Sequence, residues 1–76
     1  MKVVSGEVFT GSRNGMHQVT VELNGGTATL EALTGEGTAV SVTDGVLAEG
    51  ITTFYAVSDQ QFIITLAGGA EAWVTG

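Results

Sequence analysis

MHQVTVELNGGTATLEAL, residues 16–33, is the stretch on which the fold turns. In its first half Val19, Val21 and Leu23 alternate with Gln18, Thr20 and Glu22; in its second, Ala28, Leu30 and Ala32 alternate with Thr27, Thr29 and Glu31. A period of two is that of a strand with one dry face and one wet face. Between the halves Asn24, Gly25 and Gly26 tolerate positive φ, so the stretch predicts two strands joined by a tight hairpin turn.

The rest of the chain follows the same rhythm. Residues 2–10 predict a strand with a bulge at Gly6, and GSRNG at 11–15 a loop. TGEG at 34–37 turns the chain into a strand over 38–43, with Val40 and Val42 inward, and Asp44-Gly45 predicts another turn. An apolar piece at 46–48 precedes strands over 51–57 and 61–67, separated by SDQ at 58–60. Gly68-Gly69 predicts a last hairpin onto a strand over 70–75. No helix of useful length fits between these turns. The expected fold is all-β: an antiparallel sandwich or small jelly-roll-like barrel of about seven or eight short strands. Residues 1–76 read as one domain, with 1–15 an arm or edge strand.

Composition limits the function. Two basic residues, Lys2 and Arg13, stand against eight acids, for a net charge of −6. Nucleic acids and anionic membranes, which are bound by Lys and Arg, are not expected partners. The acids are dispersed along the chain and read as solubilising charge. No apolar stretch approaches the roughly 20 residues of a membrane helix, and the N-terminus shows no signal-peptide pattern. The expected place of synthesis is a cytoplasm.

Catalytic and metal chemistry find little material. With no cysteine a thiolate zinc site has no ligands, and with one histidine any nucleophilic triad would have to use His17. His17 shares its strand phase with Val19 and Val21 and reads as an inward or rim side chain. Asp44, Glu49 and Asp59 lie near turns, but their spacing is not that of a calcium loop. GSRNG and TGEG lack the lysine and helix of a phosphate loop. No enzyme activity and no cofactor is expected.

A domain of 76 residues has a thin core, and without disulfides or metals its usual support is oligomerisation. The mean hydropathy is +0.34, and only 13% of residues are charged, against about 25% in typical soluble domains. There is no proline to blunt an edge strand. Between Ile51 and Val74 one phase carries Ile51, Tyr55, Val57, Phe62, Ile64, Leu66 and Val74, and the other Phe54, Ala56, Ile63 and Trp73. Two readings of this two-sided apolarity stand: a central strand covered on both sides, or a surface buried by another subunit. On the second reading Phe54, Ile63, Trp73 and Tyr55 form an oligomer interface. Trp73 and Tyr55 also suit an aromatic platform for sugars, in a carbohydrate- or receptor-binding module.

From ATLEALTGEGTAVSVTDG (28–45) to the closing AWVTG (72–76), the chain resembles small β-rich bacteriophage virion structural proteins. The matching features are the strand with Thr29, Leu30 and Glu31, the acidic Gly-rich turn at 34–37, the VTDG at 42–45 and the terminal VTG at 74–76. They cover about the last two thirds of the chain. The resemblance implies a structural part of a capsid (decoration or stabilisation), neck, tail or fibre, located in the virion and made in the host cytoplasm. It implies a symmetric homo-oligomer, with trimers frequent among such parts, that meets other virion proteins such as the capsid. The first 15 residues match less well, as an arm reaching a neighbour would.

Overall fold

The computed structural model describes residues 1–11, 14–57 and 59–75 and, within them, every side chain but that of Thr43. Ser12, Arg13, Ser58 and Gly76, which fall in the predicted loops and at the end of the last strand, lie outside the described residues. The fold is all-β. Its strands are β1 (Phe9–Thr10), β2 (Gly15–Glu22), β3 (Thr27–Leu33), β4 (Ala39–Leu47), β5 (Gly50–Ala56), β6 (Gln61–Ala67) and β7 (Glu71–Thr75). They form a four-stranded sheet in the order β1-β6-β3-β4 and a three-stranded sheet in the order β5-β2-β7, with every pairing antiparallel. The two layers make a small sandwich.

The alternation in residues 16–33 holds residue by residue. Val19, Val21, Ala28, Leu30 and Ala32 are buried, while Gln18, Thr20 and Glu22 are exposed. The predicted hairpin does not form. Asn24 (φ 50°) and Gly25 (φ 82°) do make the tight turn, closed by the Gly26 amide donating to the Leu23 carbonyl at 2.7 Å. Yet β2 pairs with β5 and β7, and β3 with β4 and β6, so the turn is a corner between sheets. The reason is burial. Paired side by side, β2 and β3 would still need a cover for their apolar faces; stacked, they cover each other.

Gly68-Gly69 behaves in the same way, leading from β6 in one sheet to β7 in the other. The two corners lock together: the Asn24 side-chain amide donates to the Gly69 carbonyl at 3.0 Å, and Gly26 lies against Ala67 and Gly68. Among the described residues, TGEG is the one turn that joins strands pairing with each other, β3 and β4. There the amide of Thr34 donates to the Thr38 carbonyl at 2.9 Å, and that of Gly37 to the Thr34 carbonyl at 2.9 Å.

Two other expectations are corrected. Asp44-Gly45 is no turn between strands but a bulge inside β4, where residues 42–45 stand opposite Leu30 alone. Asp44 takes φ 58°, and a Cβ on Gly45 would sit 2.6 Å from the Leu30 carbonyl oxygen, so the backbones meet there as only glycine allows. Val42 is partly buried as expected, but Val40, beyond the bulge, is 42% exposed. Nor do residues 2–10 form one strand. Gly6 (φ 74°) and a bond from the Glu7 amide to the Val4 carbonyl (3.0 Å) turn the chain midway.

That turn lets the N-terminal segment strap the sheets together. Val3, itself buried, donates its amide to Ala72 of β7 (2.9 Å), and Met1 pairs with Val74 in both directions at 2.8 Å. After the turn, Gly6 donates to Ile64 of β6 (3.0 Å) and Phe9 takes its place opposite Phe62. Ser5 spans the junction: its hydroxyl donates to the Leu66 carbonyl (3.1 Å) and accepts from the Leu66 amide (2.9 Å). Residues 1–11 thus lie on this chain's own sheets, with β1 as the edge strand. Ser5→Ala is expected to lower unfolding stability by about 1 kcal/mol in urea melts.

Inside, Val19, Val21 and Ile64 are sealed from solvent. A line of rings, Phe9 on Phe62 (5.8 Å), Phe62 on Phe54 (5.3 Å) and Phe54 on His17 (5.5 Å), runs through one end of the core.

Candidate functional site

The outer face of the three-stranded sheet carries three of the large exposed apolar side chains, Met16, Ile51 and Tyr55. On β2 and β5 the residues that do not face the core are Met16, Gln18, Thr20 and Glu22, and Ile51, Thr53 and Tyr55. The register sets Met16 beside Tyr55, Gln18 beside Thr53 and Thr20 beside Ile51, with Trp73 of β7 on the far side of Thr20. Ile51 is 67% exposed, Tyr55 62% and Met16 52%. Single exposed apolar side chains are ordinary, but three large ones grouped on two neighbouring strands are a patch.

The four residues expected at an interface do not form one surface. Tyr55 and Trp73 share this face. Trp73 is half-buried, with the Lys2 ammonium 5.8 Å from its ring centroid. The same ammonium meets Glu71 at 2.9 Å, beside Glu22, its cross-strand neighbour. Both partners of that ion pair are well exposed, so it offsets like charge and adds little stability. Ile63 is half-buried on the outer face of the other sheet, opposite Glu31. Phe54 points inward, packed on His17 and Phe62, and is corrected from interface to core.

The grouping by phase fails for a physical reason. β5 and β6 lie in different sheets, so residues of equal phase need not share a face in space. Phe62 and Ile64 are core, whereas Ile51 and Tyr55 are surface. Met16 and Ile51 were not among the expected site residues. The signal for Ile51 was the Ile51-Thr53-Tyr55 spacing, which puts two large apolar groups on one side of a strand. Met16 joins them only through the β2–β5 register.

A second feature lies between the sheets. At the side where β4 and β5 end the two layers, a cleft of about 260 Å³ reaches a floor of Val19, Leu30, Leu47 and Phe62, with Asp44 and Tyr55 among the residues lining it. It is smaller than the roughly 300–1,000 Å³ of most small-molecule sites. His17 is buried at 3% exposure and stacked on Phe54, in keeping with an inward side chain. Among the described residues no group of three or more His, Cys, Asp or Glu side chains is placed to hold a metal ion, and no helix is long and apolar enough to cross a membrane.

The chain matches no protein-family model, and no curated protein or solved structure is significantly similar to it.

Proposed function

We propose that this protein is a structural building block that works by associating with copies of itself, as a capsid-decoration, fibre or tail part of a bacteriophage particle. The observation that carries self-association is the exposure of Ile51, Tyr55 and Met16 on one sheet face that, among the described residues, nothing covers. Burying what they now expose is worth about 1 kcal/mol each. In a domain whose whole stability is of the order of 5 kcal/mol, that is a large incentive to associate. The virion assignment rests on the resemblance of residues 28–45 and 72–76 to small phage structural proteins, whose partners are their own copies and other virion proteins such as the capsid. No catalytic role belongs to the proposal.

Native mass spectrometry of the purified chain over a range of micromolar concentrations tests the association. A defined homo-oligomer is expected, and Tyr55→Asp is expected to shift it to monomer while leaving the β circular-dichroism signal unchanged. A well-folded monomer at every concentration overturns the reading. The virion assignment is checked separately, by immunogold labelling of particles from a producing host.

One observation favours a second reading, a carbohydrate- or receptor-binding module. Tyr55 stands 62% exposed while also lining the cleft, as an aromatic platform beside a pocket does. A glycan array that binds the native chain but not Tyr55→Ala supports it.

A further inference from the structure

A two-layer sandwich has four edges, and an unprotected edge is a template for another strand. Three edges of this one are blunted. β1 is two residues long. β7 is covered by the chain's own residues 1–3. β4 is broken by the bulge at residues 42–45, which carries Asp44. Among the described residues β5 has none of these devices. It is seven residues long, GITTFYA, with no charge and no proline, and it pairs with β2 in unbroken register from Gly15–Ala56 to Val21–Gly50. Its only flanking acid on the N-terminal side, Glu49, is tied back by accepting the Leu23 amide at 2.8 Å.

We propose that β5 is the seam between two copies of this chain, pairing antiparallel with its own symmetry mate so that the three-stranded sheets join into one of six strands. This rests on the self-association reading above and deepens it by naming the contact. The strand itself argues for a second copy over an unrelated peptide. Its outward residues are Ile51, Thr53 and Tyr55. Centred on Thr53, antiparallel pairing sets threonine against threonine and each isoleucine against the partner copy's tyrosine. Thr–Thr and aromatic–β-branched pairs are among the favourable cross-strand combinations. No like charges meet, which matters for a chain of net charge −6. The patch also becomes continuous: Trp73, Thr20 and Ile51 of one copy run on into Tyr55 and Met16 of the other.

The contact is isologous, each copy offering the same edge to the other. A ring of three built on edge pairing needs two different edges to meet, and here the other edges are blunted.

The absence of cysteine makes the test direct. On the two-fold axis the paired Cα atoms of residue 53 stand about 4.5–5.5 Å apart, within disulfide reach. Thr53→Cys is expected to give a nearly complete covalent dimer on mild oxidation, whereas Thr65→Cys, exposed on the other sheet, stays uncrosslinked. Thr53→Lys places two ammonium groups against each other and is expected to weaken association roughly thirtyfold or more with the fold intact. If the native chain is oligomeric but Thr53→Cys does not crosslink, and Thr53→Lys associates as before, the seam is wrong while self-association stands. If the native chain is monomeric at all concentrations and Thr53→Cys remains uncrosslinked, a second copy is not what covers β5, and both proposals fall.

Discussion

Replacing Gly26 with alanine is expected to cost about 3 kcal/mol or more and to lower the melting temperature by roughly 15 °C, a larger effect than any other single methyl group added to the turns. The cause is contact, not backbone strain. A Cβ at residue 26 would overlap the Ala67 carbonyl oxygen and lie 2.9 Å from the carbonyl carbons of Ala67 and Gly68. Those atoms belong to the second corner between the sheets, and backbone cannot step aside as a flexible side chain can. To admit the methyl group the two corners must part, which also strains the bond from Asn24 to the Gly69 carbonyl. Gly25→Ala is the matched control. Gly25 sits at φ 82° with nothing within 4 Å of its would-be Cβ, so the cost there is only that of a left-handed alanine, about 1 kcal/mol. Thermal melts of the two variants side by side decide the point. Equal shifts, or a larger one for Gly25→Ala, would mean that the corners are not in contact in solution.

Ile64→Ala is expected to cost about 3–4 kcal/mol, enough to leave much of the population unfolded at 37 °C. Ile64 is fully buried, opposite Leu30 on β3, and is the largest side chain wholly sealed in the core. A domain of this size has few neighbours able to collapse into the space left behind. Ile51→Ala removes the same atoms from a position that is 67% exposed, and is expected to change monomer stability by no more than about 0.5 kcal/mol. Urea titrations at low protein concentration, below the association range, should show a lowered midpoint with an unchanged slope for Ile64→Ala and an almost superimposable curve for Ile51→Ala. At high concentration Ile51→Ala should lose the extra stability that association lends the native chain. A loss of monomer stability for Ile51→Ala as large as that for Ile64→Ala would contradict the burial of the one and the exposure of the other.

The candidate site was partly legible. Tyr55 and Trp73 stood out as aromatics in a run apolar on both phases, and both lie on the face proposed here. Phe54 was misread for a reason that applies to any small sandwich. On β5 it alternates with Tyr55, and a strand's period tells which residues oppose each other without telling which side is the interior. Ile63 has the opposite phase to Ile64 and does point outward, but into the other sheet's solvent face. β5's role as an unprotected edge could not be seen, because being an edge depends on which strands lie beside it.

By itself the sequence determined that the chain folds as strands, where most of them begin and end, and which residues of β2 and β3 face the core. These follow from local alternation and from residues that accept positive φ. The tertiary structure alone decided that Asn24-Gly25-Gly26 and Gly68-Gly69 are corners between sheets, that Asp44-Gly45 is a bulge, and that residues 1–6 strap one side of the sandwich while β5 stays open on the other. A turn signal encodes a reversal of direction, and a reversal serves a hairpin or a corner equally well. The choice rests on which apolar faces can cover each other, and that is a property of the whole chain.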